Sequence, residues 1–141
     1  MNVTKADRIH ASVMIVSGIL TMTAWALYWT TDFFVKPGDP LWTKFENPFV
    51  LPDAAMSAAL WASAWWMLKG DRRSVPMGIA AGGAATFLFL LDFLFNLQNG
   101  YYVPVTADVL VECTFNLVCA VLGPLTVIRL WRRLPAFETS R

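Results

Sequence analysis

Two stretches of this chain place acids and amides at helical spacing inside otherwise apolar segments. Asp92, Asn96 and Asn99 follow at intervals of four and three residues, and Asp108, Glu112 and Asn116 at intervals of four and four. On a helix each set shares one face. A carboxyl surrounded by apolar side chains takes up a proton, binds a cation, or does general acid–base work once burial raises its pKa toward neutrality. No lysine or arginine is expected at the depth of Asp92 or Glu112, so the two acids, if brought together, must share protons or hold a cation. Asn96 and Asn116 are placed to orient them. The competing reading is a clamp in which protonated acids and asparagines lock two helices together.

The segments that carry these residues are defined by hydropathy. The chain has 141 residues, 57% hydrophobic and 15% charged, with a mean hydropathy of +0.51 and seven tryptophans. About 25% charge is usual in a soluble domain. The expected fold class is all-α: a single integral membrane four-helix bundle with spans at about 9–31, 50–68, 75–97 and 106–131 and an outer loop at 32–49. Pro37, Pro40, Pro48, Pro52, Pro76 and Pro104 mark loops or first turns, whereas Pro124 falls inside the fourth span and is expected to bend it. The first apolar run is too long for a cleavable signal peptide.

Nine of the eleven basic residues (Lys5, Arg8, Lys69, Arg72, Arg73, Arg129, Arg132, Arg133 and Arg141) fall at one end of these spans. Only Lys36 and Lys44 fall at the other. The positive-inside rule then puts both termini in the cytoplasm and the protein in the cytoplasmic (inner) membrane. Seven acids, Asp32, Asp39, Glu46, Asp53, Asp92, Asp108 and Glu112, fall on the outer side or in the outer half of a span, for a local balance of −5. Counted from the outer ends at about 1.5 Å per residue, Glu112 lies roughly 9 Å inside and Asn116 near mid-bilayer. The two polar stripes are expected to face each other.

The outer loop carries Phe33, Phe34, Trp42, Phe45 and Phe49 and reads either as an interfacial aromatic belt or as a flap over the bundle mouth. In the second case Glu46, Asn47 and Asp53 join Asp92 and Glu112 around one cavity. Asp53 otherwise caps the second helix, and Asp39, in Pro-Gly-Asp-Pro, reads as a solvated turn residue. Gly78-xxx-Gly82, with Ala55, Ala59 and Ser63, predicts a tight pairing of the second and third helices, or a homodimer. Cys113 and Cys119, roughly 120° apart on a helix, read as small buried hydrophobes. His10 is the single histidine, which leaves no bis-histidine haem or His-rich metal site. No cofactor is indicated, and no basic tract points to nucleic acid.

The stretches Phe45-Glu46-Asn47-Pro48-Phe49, Leu51-Pro52-Asp53-Ala54 and Asp92-Phe93-Leu94-Phe95-Asn96-Leu97-Gln98-Asn99-Gly100-Tyr101-Tyr102 resemble a family of small four-span prokaryotic membrane proteins. That resemblance implies a topology and no activity. A looser likeness, of arrangement rather than motif, is to domains of the sterol-isomerase and sigma-2-receptor type, which combine a long first outer loop with acids around an apolar ligand cavity. The histidine such isomerases imply within the bundle is absent. Three functions are compatible with these features. The first is binding of a small apolar or cationic lipid-like ligand through Asp92, Asn96, Glu112, Asn116, Asp53 and Glu46. The second is a cation- or proton-coupled transporter using the same acids. The third is a non-catalytic subunit of a larger membrane complex, with Trp25, Trp61, Trp65 and Trp66 facing a partner or bound pigments and lipids.

Overall fold

The computed structural model describes residues 2–31 and 39–134, all of it helix, turn or coil with no strand among the described residues. Four long helices, α1 (Lys5–Thr30), α3 (Val50–Leu68), α4 (Ser74–Asn99) and α5 (Ala107–Trp131), form a bundle, and a short α2 (Pro40–Glu46) precedes α3. Asp32, Phe33, Phe34, Lys36, Pro37 and Arg141 lie outside the described residues. α1, α4 and α5 are long and apolar enough to cross a membrane. The 19-residue α3 is not among them. Its length suffices, but Pro52, Asp53, Ser57, Ser63 and three tryptophans dilute its hydropathy.

Local chemistry sets the ends. Thr4 and Asp7 form a reciprocal capping box at the start of α1, satisfying two backbone N–H groups that a helix start leaves open. α4 stops at Gly100, whose φ of 70° is a left-handed cap that a side chain would resist. Asp39 is not a free turn residue. It caps α2 by accepting from the Leu41 and Trp42 N–H groups, with Pro40 in the first turn. A 3-10 turn, Asn47–Phe49, then runs straight into α3. The start of α3 is therefore not a free helix end, and Asp53 makes no cap bond there.

In space α1 packs on α3, α3 on α4 and α4 on α5, while α1 and α5 touch sparsely. Ser63 of α3 donates its hydroxyl to the Ser74 carbonyl, and Gly78 faces Ser63 and Leu130. The expected pairing of α3 with α4 through the glycine stripe is therefore only half of what that stripe does. Gly82 turns instead to α5, where a Cβ would stand 2.8 Å from the Gly123 carbonyl oxygen. α5 remains helical through Pro124.

At the end of the bundle away from α2, α1 and α5 are tied by charge. Asp7, 1% exposed, accepts from Arg129 at 2.7 Å and from Arg133. One turn further in, His10 Nε2 meets the buried Thr126 hydroxyl at 3.1 Å. Sequence reasoning counted Arg129 and Arg133 only as topology signals and overlooked Asp7. Trp25 is buried rather than turned to a partner, and Cys113 is exposed rather than buried.

The glycine contacts predict a contrast within one dipeptide. Gly82→Ala must push α4 from α5 and is expected to cost about 1–3 kcal/mol. Gly83→Ala, which would meet nothing within 4 Å, is expected to be neutral or slightly stabilising through helix propensity. Thermal unfolding of the two purified variants checks this; equal losses would show that the backbones do not meet at Gly82.

Candidate functional site

α2 and the residues flanking it are positioned by contacts to α1, to α4 and to the turn after α4. Tyr101, just beyond α4, donates its hydroxyl to Asp39 Oδ2 at 2.6 Å. Phe45 stacks on Phe95 of α4, with centroids 3.6 Å apart and planes within 8°. Tyr28 of α1 donates to Asn47 Oδ1 at 2.8 Å. Trp42 is 3% exposed, with its ring 6.0 Å from that of Tyr28. Residues 39–49 thus form a lid across the bundle mouth.

Beneath it is a cavity of about 140 Å³, close to the ~150 Å³ known to accommodate a benzene ring in another protein. Five carboxyls line it: Glu46 from the lid, Asp53 from α3, Asp92 from α4, and Asp108 and Glu112 from α5. Trp25, Tyr28 and Trp42 supply aromatic walls, and Met56, Leu88, Phe89 and Phe115 an apolar lining. Among the described residues no lysine, arginine or histidine lines it. Lys44, the basic residue of the lid, is exposed.

Asp92 is the hub. Its Oδ1 accepts from Asn96 Nδ2 at 2.9 Å, and its Oδ2 accepts from Asn116 Nδ2 of α5 at 2.5 Å. The α4 and α5 stripes therefore meet. Asn96 is fully buried and supports Asp92 from behind rather than lining the cavity. Asn99 belongs to neither function, since its amide returns to the Phe95 carbonyl of its own helix. Asp53 accepts from Trp25 Nε1 at 2.9 Å, which links α3 to α1.

Glu46 and Asp92 also share a hydrogen bond. Two carboxyls can do so only with a proton between them, because an ionised carboxylate has no donor. Both Asp92 oxygens already accept amide N–H groups, which favours Glu46 as the donor. Burial, reinforced by the negative fields of Asp92, Glu112 and Asp53, pushes Glu46 up to about 9.

Of the six residues singled out from sequence, five (Glu46, Asp53, Asp92, Glu112 and Asn116) line one cavity, and Asn96 sits directly behind it. The sequence reading did not place Asp108, Trp25, Tyr28, Trp42 and Cys119 there. For Asp108 the signal was present in its spacing of four from Glu112. The aromatics carried none, because a ring near a helix end looks the same whether it faces lipid or a cavity. Among the described residues no group of three or more acids, cysteines or histidines is arranged to hold a metal ion. No family model, curated protein or solved structure matches the chain.

A pH dependence follows from Glu46. The folded state keeps a proton that the unfolded carboxyl releases above its ordinary 4.5. Its stabilising contribution is therefore complete below that value and is lost as pH rises toward about 9. Thermal stability in detergent is expected to fall across this window, with a shallower slope in Glu46→Gln. Stability that rises with pH there, or a slope unchanged by the substitution, would contradict the assignment of the proton.

Proposed function

We propose that this chain is a multi-pass protein of the cytoplasmic membrane, with four spans and both termini inside, that binds a small cationic lipid-like molecule beneath the α2 lid. The observation that carries the reading is the cavity itself, where five carboxyls converge with the rings of Trp25, Tyr28 and Trp42 above an apolar lining. In a low-dielectric setting, a concentration of carboxyls favours an entering cation over a neutral or anionic molecule of equal shape. Aromatic rings such as those of Trp25, Tyr28 and Trp42 are the groups that recognise ammonium ions through cation–π attraction. The apolar lining suits the carbon atoms beside such a group. The inside placement of the termini is supported by the clustering of basic residues at the Asp7 end of the bundle.

A clamp accounts for part of the arrangement. Asp92 with Asn96 and Asn116 does join α4 to α5. It does not account for Asp108 and Glu112, which line the same open space. A cation transporter would use the same acids, but the cavities that continue toward the Asp7 end are lined mainly by apolar side chains.

The test is thermal stabilisation of the purified protein by a short alkylammonium ion, compared with the alcohol and the carboxylate of the same chain length. The ammonium ion alone is expected to stabilise, by about 2.7 kcal/mol at a concentration 100 times its Kd. Glu112→Gln is expected to weaken binding by about tenfold, and Asp92→Asn with Glu112→Gln by more. Equal stabilisation by the neutral or anionic analogue, or unchanged binding in the double variant, would contradict a cation site.

A further inference from the structure

The tie between α1 and α5 leaves positive charge over. Asp7 is filled on both oxygens: Oδ1 accepts from Arg129 and Arg133, and Oδ2 from the Thr4 hydroxyl at 2.8 Å and the Thr4 N–H at 3.0 Å. Two guanidiniums thus meet one carboxylate, and among the described residues neither makes an ion pair with a second acid. Arg129 Nε and Arg133 Nη1 are buried and have no hydrogen-bond partner among the described residues. A guanidinium carries more N–H donors than Asp7 can receive, and oxyanions are the acceptors with which it bonds most strongly.

Arg129 also stands at the head of a groove. A space of about 470 Å³ runs between α1 and α5, walled by Ile9 and Val13 on one side and by Leu117, Val121 and Leu125 on the other. Each of these five side chains is at least 43% exposed, so the groove lies on the outer surface of the bundle. Among the described residues only His10 and Arg129 bring polar side chains to it, both at the Asp7 end. From Arg129 to Leu117 it follows α5 for about 18 Å at 1.5 Å per residue. One leaflet occupies half of the ~30 Å hydrocarbon core, a little less than that length. The apolar groove beside Trp61 and Trp65, by contrast, has no charged side chain along it.

We infer that the α1–α5 groove seats one anionic phospholipid of the leaflet at the Asp7 end, with its phosphate at Arg129 and an acyl chain between the two helices. This rests on the membrane placement proposed above, which makes that leaflet the cytoplasmic one, and is independent of the acidic cavity. Charge and shape together select the occupant: a cationic group at one end of an apolar groove one leaflet deep. Basic pockets between spans on the cytoplasmic side are where anionic headgroups bind. Surrounding lipid tails solvate an acyl chain as well as the groove does, so the headgroup supplies the preference and the groove fixes its position. Asp7 is a positioning residue here. It holds Arg129 in one place and so reduces the ordering cost of binding, while its own charge offsets only one of the two guanidiniums.

The experiment is native mass spectrometry of the full chain in detergent, titrated with dioleoylphosphatidylglycerol or dioleoylphosphatidylcholine. The two lipids share chains and phosphate and differ in net charge. The first phosphatidylglycerol is expected to bind about tenfold more tightly than the first phosphatidylcholine, the scale of one charge-assisted hydrogen bond. Arg129→Gln, which leaves Asp7 its Arg133 and Thr4 partners, is expected to remove that preference. Arg132→Gln, the same loss of charge at an exposed residue outside the groove, is expected to keep it. Leu125→Trp fills the groove from an exposed position outside the Asp7 cluster and is expected to weaken phosphatidylglycerol binding by a similar factor. Equal binding of the two lipids, or equal losses in Arg129→Gln and Arg132→Gln, would overturn the site in favour of diffuse attraction. A preference untouched by Leu125→Trp would overturn the groove as its seat. A dimer that Leu125→Trp dissolves would overturn it too, identifying the groove as an interface between copies. A chain that stays monodisperse without detergent would overturn the membrane placement and this inference with it.

Discussion

Five carboxyl groups face one small space, and that concentration of acid constrains everything around it. Coulomb repulsion between like charges grows steeply as the surroundings become less polar, so the set cannot be fully ionised and dry. Protons or a bound cation must make up the difference. The hydrogen bond between Glu46 and Asp92 is one place where a proton is already required. A cavity that must hold either protons or a cation is, by that fact, responsive to both.

The rest of the bundle holds this arrangement in place. The hydrogen bonds of Asp39, Asn47 and Asp53 to Tyr101, Tyr28 and Trp25 connect the lid and the start of α3 to α1 and to the end of α4. The Gly82–Gly123 approach brings α4 and α5 close enough for Asn116 to reach Asp92. At the opposite end, Asp7 gathers Arg129 and Arg133 and fixes α1 to α5 where the seam between them would otherwise continue. Removing one partner from such a buried group is more damaging than the pair is stabilising. The seam is thus held at the Asp7 end, and α1 and α5 otherwise touch sparsely.

Much of this was legible in the order of residues. Hydropathy and proline positions located the four long helices to within a few residues, because both act locally. The stripes Asp92–Asn96 and Glu112–Asn116 were visible because helical spacing alone puts each on one face. What remained hidden depends on distant partners. Asp39 looked like a turn residue because its partner Tyr101 is 62 positions away. Trp25 looked like a partner-facing residue because nothing near it in the chain announces Asp53. Asp7 disappeared into a basic cluster, since a charge rule counts residues and does not pair them. The glycine stripe of α4 signalled close packing, but a small residue does not say which neighbour approaches, and Gly82 met Gly123 rather than α3.

The most direct measurement is the number of protons released when a short alkylammonium ion binds near pH 7, obtained from calorimetric titrations in buffers of different ionisation enthalpy. If protons neutralise the empty cavity and a cation replaces them, the binding heat must vary with the buffer and show net release, and the release must shrink in Glu46→Gln. Binding with no proton exchange would mean that the acids already stand ionised beneath the lid, and the balance of charge set out above would be wrong.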